Sequence, residues 1–210
     1  MCAGMESTAT PGWLHREFIS TLFRRRGSPL KESLLLLENE NAPAFYDRSV
    51  SAMKKNLERM ITLADEFFEA KRDPMQISVD EETMAALKRI HPSTMGEIAN
   101  ADGPVAWVLV IPTTEKLMRE FISKKINEHQ MLQKTLPGMK YDALYLCSAL
   151  VLPEERGKGL ATGLLIKSIT SIKKKHSIKY LFYWGFSVEG KKLASAVAKE
   201  FALPLFARES

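Results

Sequence analysis

The residues best suited to chemistry lie in one short loop of the chain. Residues 153–163 read PEERGKGLATG, which places Gly157 and Gly159 between an apolar run and a predicted helix. Glycines in a tight turn allow successive backbone N–H groups to point into one concavity, and the positive end of a helix dipole strengthens the attraction for an anion. Arg156 and Lys158 add positive charge to the same loop. The pattern is typical of a phosphate-binding site.

The spacing of the glycines separates three kinds of phosphate-binding loop. A P-loop requires Gly-Lys followed by Ser or Thr, whereas Gly157 and Lys158 are followed by Gly159. The dinucleotide fingerprint requires a third glycine that here, as Gly163, comes one position late. Residues 179–186 also lack the acidic residue that this fingerprint needs. Neither pattern describes this loop.

A third pattern fits the loop and its surroundings. Residues 156–161, with the sequence RGKGLA, resemble the Arg/Gln-x-x-Gly-x-Gly/Ala signature of GNAT-type N-acetyltransferases. Residues 151–155 resemble the strand end of that family, and the resemblance extends from Asp142 to Leu203 in the order strand, loop, helix, strand, helix. It implies an α/β (α+β) fold in which a mixed central sheet, flanked by helices, is splayed open beside the loop.

The resemblance assigns acetyl-coenzyme A, or coenzyme A, to backbone groups of this region and implies no metal. The pyrophosphate is expected on the loop amides, and the pantetheine arm is expected along the end of the preceding strand. The expected cofactor-binding residues are Leu150, Val151, Arg156, Gly157, Lys158, Gly159, Leu160, Ala161 and Thr162. The implied activity is transfer of an acetyl group to an amine of a small molecule or peptide, which the sequence does not identify.

No catalytic acid or base can be assigned from the sequence. Amide formation from a thioester needs a neutral amine and a proton for the departing thiolate. The predicted strand before the loop offers Tyr145, Cys147 and Ser148 but no carboxylate. Where the family often has a tyrosine acid and an asparagine, this chain has Ala198 and Lys191. A non-catalytic acyl-coenzyme A sensor or interaction module of the same fold is therefore the alternative.

The remaining reactive side chains have simpler interpretations. Cys147 lies in an apolar strand, where a packed thiol is expected more often than a nucleophile. The four histidines, His15, His91, His129 and His176, lie in different predicted elements and have neither metal-ligand nor triad spacing. We expect them at the surface or hydrogen-bonded in the core.

The predicted elements that must position the loop alternate between strand and helix. The apolar run Leu144–Leu152 has the pattern of a buried strand, and a helix is predicted from Leu160 to Ser171. A second buried strand, Lys179–Gly185, and a second helix, Val188–Phe201, follow. Residues 203–210 leave room for one brief strand where the resemblance implies two. The missing strand could come from a partner subunit in a homodimer or from the N-terminal region.

The rest of the chain is predicted to complete a single domain. Residues 1–12 are interpreted as a flexible tail and residues 13–210 as one domain, helical over 13–92 and containing the sheet and the cofactor-binding core over 93–210. Helices are predicted at Trp13–Phe23, at Ala44–Lys71, at Asp80–Ile90 and from Met118 up to Pro137 and Gly138. Residues 94–99 are predicted to form a hairpin with Val105–Ile111, and residues 34–37 either a strand or a helix.

Composition and charge exclude several classes of protein. The 210 residues are 45% hydrophobic and 26% charged, as in ordinary globular proteins. The net charge of +5 comes from scattered basic residues without interleaved aromatics, which argues against nucleic-acid binding. No apolar run approaches the roughly 18 residues of a membrane span, and Cys2 and Cys147 suggest no disulfide framework. We therefore expect a cytoplasmic protein with no membrane partner.

Overall fold

The computed structural model describes residues 55–64, 66, 77 and 81–209, and the structural statements below concern these residues. The predicted tail at 1–12, the helix at Trp13–Phe23 and the apolar run at 34–37 lie outside the described residues. The helix predicted at Ala44–Lys71 is described at residues 55–64, which are helical and are called α1 here. Within the described residues, no helix is both long and apolar enough to cross a membrane.

A mixed sheet of five strands lies at the centre of the described structure, as the sequence predicted for a mixed α/β fold. The strands are β1 (Met95–Asn100), β2 (Gly103–Thr113), β3 (Ala143–Val151), β4 (Tyr180–Trp184) and β5 (Leu205–Arg208). They are ordered in space as in the chain: β2 is antiparallel to its neighbours β1 and β3, and β3, β4 and β5 run parallel. The parallel pairs require crossover connections, which helices provide.

Helices connect and cover these strands. They are α2 (Glu81–Ile90), α3 (Glu115–Ile122), α4 (Glu128–Lys134), α5 (Leu160–Lys173) and α6 (Val188–Phe201). The predicted bounds of α6 are confirmed, and those of α2, α5, β3 and β4 agree with the structure to within two residues at each end. The hairpin predicted around residues 100–103 is also confirmed, because β1 pairs antiparallel with β2 there.

The single helix predicted from Met118 up to Pro137 and Gly138 is wrong. Two short helices occupy this stretch, and Lys124 between them has a positive φ of 61°, which a helix cannot contain. Asn127 then starts α4 with a capping box in which its side chain accepts from the Gln130 N–H and the Gln130 side chain accepts from the Asn127 N–H. Apolar periodicity continued through the break because Phe121 and Ile126 are both buried, so the pattern alone concealed the turn.

Helix α5 packs closely on the sheet beside the loop that the sequence singled out. Its buried face includes Leu164, Ile169 and Ile172, which belong to the main core. On the strand side Gly96 permits the close approach, since an added Cβ would lie 2.9 Å from Val108 Cγ2 and 3.3 Å from Ser168 Oγ. The start of α5 is therefore held in a fixed position relative to the strands.

The end of β3 is supported from its other side by α1. Met60 and Leu63 of α1 are buried in a second cluster with Val105, Leu150 and Leu152. Since burying a large apolar side chain contributes roughly 1.5–3 kcal/mol, this cluster fixes the strand end that leads into the loop.

Arg208 at the end of β5 is buried and joins that strand to the break between α3 and α4. Its Nη1 donates to the carbonyl oxygens of Phe121 at 2.6 Å and Ile126 at 3.0 Å. The guanidinium carbon lies 4.3 Å from the ring centre of Phe121 and 4.8 Å from that of Trp184. A charge this deeply buried requires such hydrogen-bond acceptors and ring faces around it, so Arg208 fixes the outer strand of the described sheet.

Replacing Asn127 with alanine should destabilise the protein by about 1 kcal/mol, because alanine lacks the side-chain oxygen that accepts from the Gln130 N–H. Urea unfolding followed by circular dichroism measures the change. Lys134→Ala, an exposed substitution in the last turn of the same helix, should stay within about 0.5 kcal/mol of the unmodified protein. Equal effects of the two substitutions would contradict a capping role.

Candidate functional site

The two central parallel strands separate at the edge of the sheet that faces the loop. β3 pairs with β2 from Ala143 to Val151, but its pairing with β4 runs only from Ala143 opposite Tyr180 to Leu146 opposite Tyr183. The register with β2 passes from Ser148 to Leu146, so β3 holds one extra residue, Cys147, in a bulge. Because a bulge bends its strand, β3 turns away from β4 just beyond Leu146.

The separation opens a cleft of about 710 Å³ between β3 and β4. This volume lies within the ~300–1,000 Å³ typical of ligand pockets. One wall consists of residues 146–151 of β3 and the loop that leads into α5, and the opposite wall consists of residues 183–187 and the first turns of α6. The cleft therefore lies beyond the carboxyl ends of two adjacent parallel strands, where ligands bind in many α/β sheets.

Both glycines of the loop adopt a backbone conformation that favours glycine. Gly157 has φ 78° and Gly159 has φ 76°, both in the left-handed region that side chains rarely adopt. An added Cβ at either position would meet no described atom within 4 Å. Conformation rather than crowding therefore requires glycine at these positions, and open space remains beside the loop.

Gly159 is also the N-cap of α5, and within the described residues no side chain caps this helix start. The first N–H groups of a helix have no intrahelical partners. Here those of Leu160, Ala161 and Thr162 belong to residues that line the cleft. Together with the helix dipole they form a site that favours an anion.

Eight of the nine residues predicted to bind the cofactor line this cleft, since the lining includes all of them except Lys158. The Lys158 ammonium lies instead 2.8 Å from the Glu155 carboxylate. Arg156 Nε donates to the Val151 carbonyl at 3.2 Å, which ties the loop to the end of β3. Of the two cations predicted for the loop, only Arg156 contributes to the cleft wall.

The sequence did not predict the opposite wall of the cleft. It includes Tyr183, Trp184 and Phe186, and the Trp184 and Phe186 rings lie 4.6 Å apart between their centres. Ser187 then caps α6 by accepting from the Gly190 N–H at 3.0 Å. The sequence could have indicated this wall, because both strands were predicted and the carboxyl ends of neighbouring parallel strands meet at one edge of a sheet.

A carboxylate reaches β3 from a different element. Glu128 of α4 is only 6% exposed, and its Oε1 accepts from the Tyr145 hydroxyl at 2.7 Å. The Cys147 thiol lies 3.5 Å from the same oxygen, and the Ile77 N–H donates to Oε2 at 2.8 Å. The sequence showed that the strand itself contains no acid, but it did not reveal that α4 supplies one.

The surroundings of Tyr145 keep its hydroxyl protonated. Burial, and after it the negative charge of Glu128, raises the pKa of Tyr145 well above its usual range, while the charge of Arg208 acts in the opposite direction. Tyr145 is therefore a donor to Glu128 at neutral pH. A further half-buried carboxylate, Glu97 on β1, accepts from Trp107 Nε1 at 3.2 Å; its pKa is raised by burial, and it does not line the cleft.

Two of the histidines lie closer together than their sequence positions suggested. The rings of His91 and His176 are 5.9 Å apart, and burial together with the charge of Lys175 lowers the pKa of each. Within the described residues, no group of three His, Cys, Asp or Glu side chains could hold a metal ion. Neither histidine lines the cleft.

Comparison with models of protein families, with curated proteins and with solved structures gives no match for this chain. The function of the chain is therefore inferred from the geometry of the cleft.

Gly159→Ala should lower the free energy of unfolding by about 1 kcal/mol, because alanine disfavours the left-handed conformation at this position. Gly163→Ala provides the matched control, since Gly163 lies inside α5 and an added Cβ there also meets no described atom within 4 Å. That substitution should raise stability by about 0.5–1 kcal/mol. Urea unfolding curves measure both changes, and the same sign for both would contradict a conformational requirement at Gly159.

Proposed function

We propose that this chain is an acetyl-coenzyme A dependent N-acyltransferase of the GNAT type. The observation that carries the proposal is the continuity of the cleft: the open edge of β3 leads directly to a loop with two left-handed glycines and to the start of α5. Such a cleft offers backbone groups for an extended amide-containing arm at one end and an anion site at the other.

The anion end suits a pyrophosphate. Phosphate oxygens accept from backbone N–H groups at a helix start, and the helix dipole favours their charge. Arg156 can add a charge-assisted hydrogen bond from the same wall of the cleft. Gly157 and Gly159, which have no side chain, and Ala161, which has a small one, permit a close approach to the backbone.

The strand end suits the pantetheine arm. Residues 147–151 continue beyond the last pair with β4, and at 3.3 Å per residue they extend about 13 Å. An arm with two amide groups can pair with such an edge in the way that an added β-strand does. An arm that starts at the glycine loop and follows β3 brings its thioester to the point where β3 and β4 converge.

The residues of this chain would contribute mainly position and electrostatics to acyl transfer. Backbone N–H groups at the convergence of β3 and β4 can orient the thioester carbonyl and stabilise the oxyanion as the amine attacks. Apolar cleft residues such as Leu146 and Leu150 exclude water, which strengthens those hydrogen bonds. The acceptor is an amine of a small molecule or peptide that enters the cleft near Cys147 and Ser148.

A second candidate is a non-catalytic acyl-coenzyme A binding module. It is favoured by Ala198, which lies where the family often has a tyrosine acid, and which is only 7% exposed. An apolar side chain in the core cannot protonate a departing thiolate. Binding of the cofactor without turnover would support this candidate.

The test is to measure binding of coenzyme A by calorimetry and release of thiol from acetyl-coenzyme A with a broad panel of amines. The proposal predicts binding that NAD and ATP do not displace, and thiol release that depends on an amine. Tight binding with no turnover of any amine would favour the binding module. No binding of coenzyme A would contradict both candidates.

Arg156→Ala should weaken coenzyme A binding about tenfold, equivalent to ~1.4 kcal/mol, because a charge-assisted hydrogen bond to phosphate is lost. Lys174→Ala makes the same change of net charge at the other end of α5, where Lys174 is the exposed C-cap. The affinity of this variant for coenzyme A should change less than about twofold, since salt screens an exposed charge at that distance from the loop. Equal losses in calorimetry would indicate a general electrostatic effect rather than a site at the loop.

A further inference from the structure

Three reactive groups meet where the cleft narrows. Cys147 lies in the β3 bulge, is half-buried and lines the cleft. Its thiol shares Glu128 Oε1 with the Tyr145 hydroxyl, at 3.5 Å and 2.7 Å respectively. Tyr145 and Glu128 are 1% and 6% exposed, so the thiol connects a buried carboxylate with the cleft.

We propose that Cys147 is a covalent acyl-acceptor site, which takes the acyl group from a thioester in the cleft and passes it to the amine. Glu128 is the general base that accepts the thiol proton. The inference rests on the proposed function for the thioester donor, and it changes the expected mechanism from direct transfer to double displacement.

The chemistry balances without an oxidant or a further reactant. As Cys147 Sγ forms a bond to the thioester carbonyl carbon, its proton moves to Glu128. The bond from that carbon to the donor sulfur breaks, and the departing thiolate receives the proton from Glu128. A neutral amine then attacks the acyl-cysteine carbonyl, the bond to Sγ breaks, and the amine proton returns to the Cys147 sulfur through Glu128. One thioester and one amine become one amide and one thiol.

The geometry around Glu128 fits the transfer of a single proton from a single donor. The Ile77 N–H holds Oε2, and the Tyr145 hydroxyl holds Oε1 without competing as an acid, because burial and the Glu128 charge raise the pKa of that phenol well above its usual range. Of the three donors, the thiol is the one that lines the cleft, and a thiol is ordinarily a stronger acid than a phenol. A nucleophile beside a base that a further group orients is the arrangement of covalent catalysis.

The position of Cys147 along the strand also favours this role over simple packing. Cys147 packs partly against the main apolar core, but it also lines the cleft. It occupies the extra position of the bulge, immediately after the last β3–β4 pair at Leu146. An arm that follows β3 from the glycine loop ends there.

The experiment mixes the full-length protein with excess acetyl-coenzyme A in the absence of an amine, quenches in acid and measures intact mass. We expect one added acetyl group, removable by hydroxylamine and located on Cys147 by peptide mapping, together with a stoichiometric burst of thiol. Cys147→Ala should lose the adduct. Cys2→Ser, which removes the other cysteine of the chain, should keep it.

The role of Glu128 is tested with Glu128→Gln, which preserves shape but removes the base. At pH 7 the adduct should form about 100-fold more slowly. The rate should recover as the pH rises toward about 8.5, where a thiol ionises without help. A merely structural role would slow the reaction without this recovery. If the variant does not fold, the mass and burst measurements on the unmodified protein still decide whether Cys147 accepts the acyl group.

The outcomes separate this inference from the proposed function. If coenzyme A binds and Cys147→Ala still acetylates amines with no adduct on the unmodified protein, the inference is overturned and the proposed function stands. If coenzyme A does not bind, the probe becomes millimolar S-acetyl-N-acetylcysteamine, a small thioester that needs no anion site. Acetylation of Cys147 by that probe would support the inference alone, and its absence would overturn it.

Discussion

The architecture of the candidate site depends on where one pair of parallel strands stops pairing. Strand pairing satisfies backbone N–H and C=O groups on both edges of a central strand, and a buried backbone group without a partner is costly. β3 pairs with β2 on both sides of the bulge but loses its β4 partner after Leu146. The bulge at Cys147 makes this divergence possible, because an added residue bends the strand that contains it. The strand edge beyond Leu146 therefore needs water or a ligand as its partner.

The surrounding elements hold this opening in place from several directions. α5 makes a close contact with β1 at Gly96, and α1 packs against Leu150 at the end of β3 and against Leu152, which follows it. On the far side Arg208 holds β5, and with it the β4 partner strand, against the α3–α4 break. Because these contacts lie on both sides of the cleft, its two walls are positioned independently of any ligand, which reduces the cost of binding.

The buried polar groups form a second theme that links the core with the cleft. Glu128 and Arg208 are both almost fully buried, and each has several hydrogen bonds or ring contacts that offset its desolvation. Apolar side chains of similar volume would often stabilise a core at least as well. The placement of the Glu128 carboxylate beside the Cys147 thiol, which lines the cleft, is thus more easily understood through chemistry than through stability.

What the sequence determined by itself was local. Alternation between apolar runs and helical periodicity predicted β3, α5, β4 and α6. Two glycines with adjacent cations predicted the turn between β3 and α5, because left-handed backbone conformations favour glycine. The tertiary structure decided what those elements enclose. The sequence did not reveal the break at Lys124, because buried residues flank it on both sides. The second wall of the cleft forms only when β4 lies beside β3. Glu128 contacts Tyr145 and Cys147, which are nearly twenty residues away in the chain. Contacts of that kind are set by packing between elements, and one-dimensional patterns record only which face of an element is buried, not what it will meet.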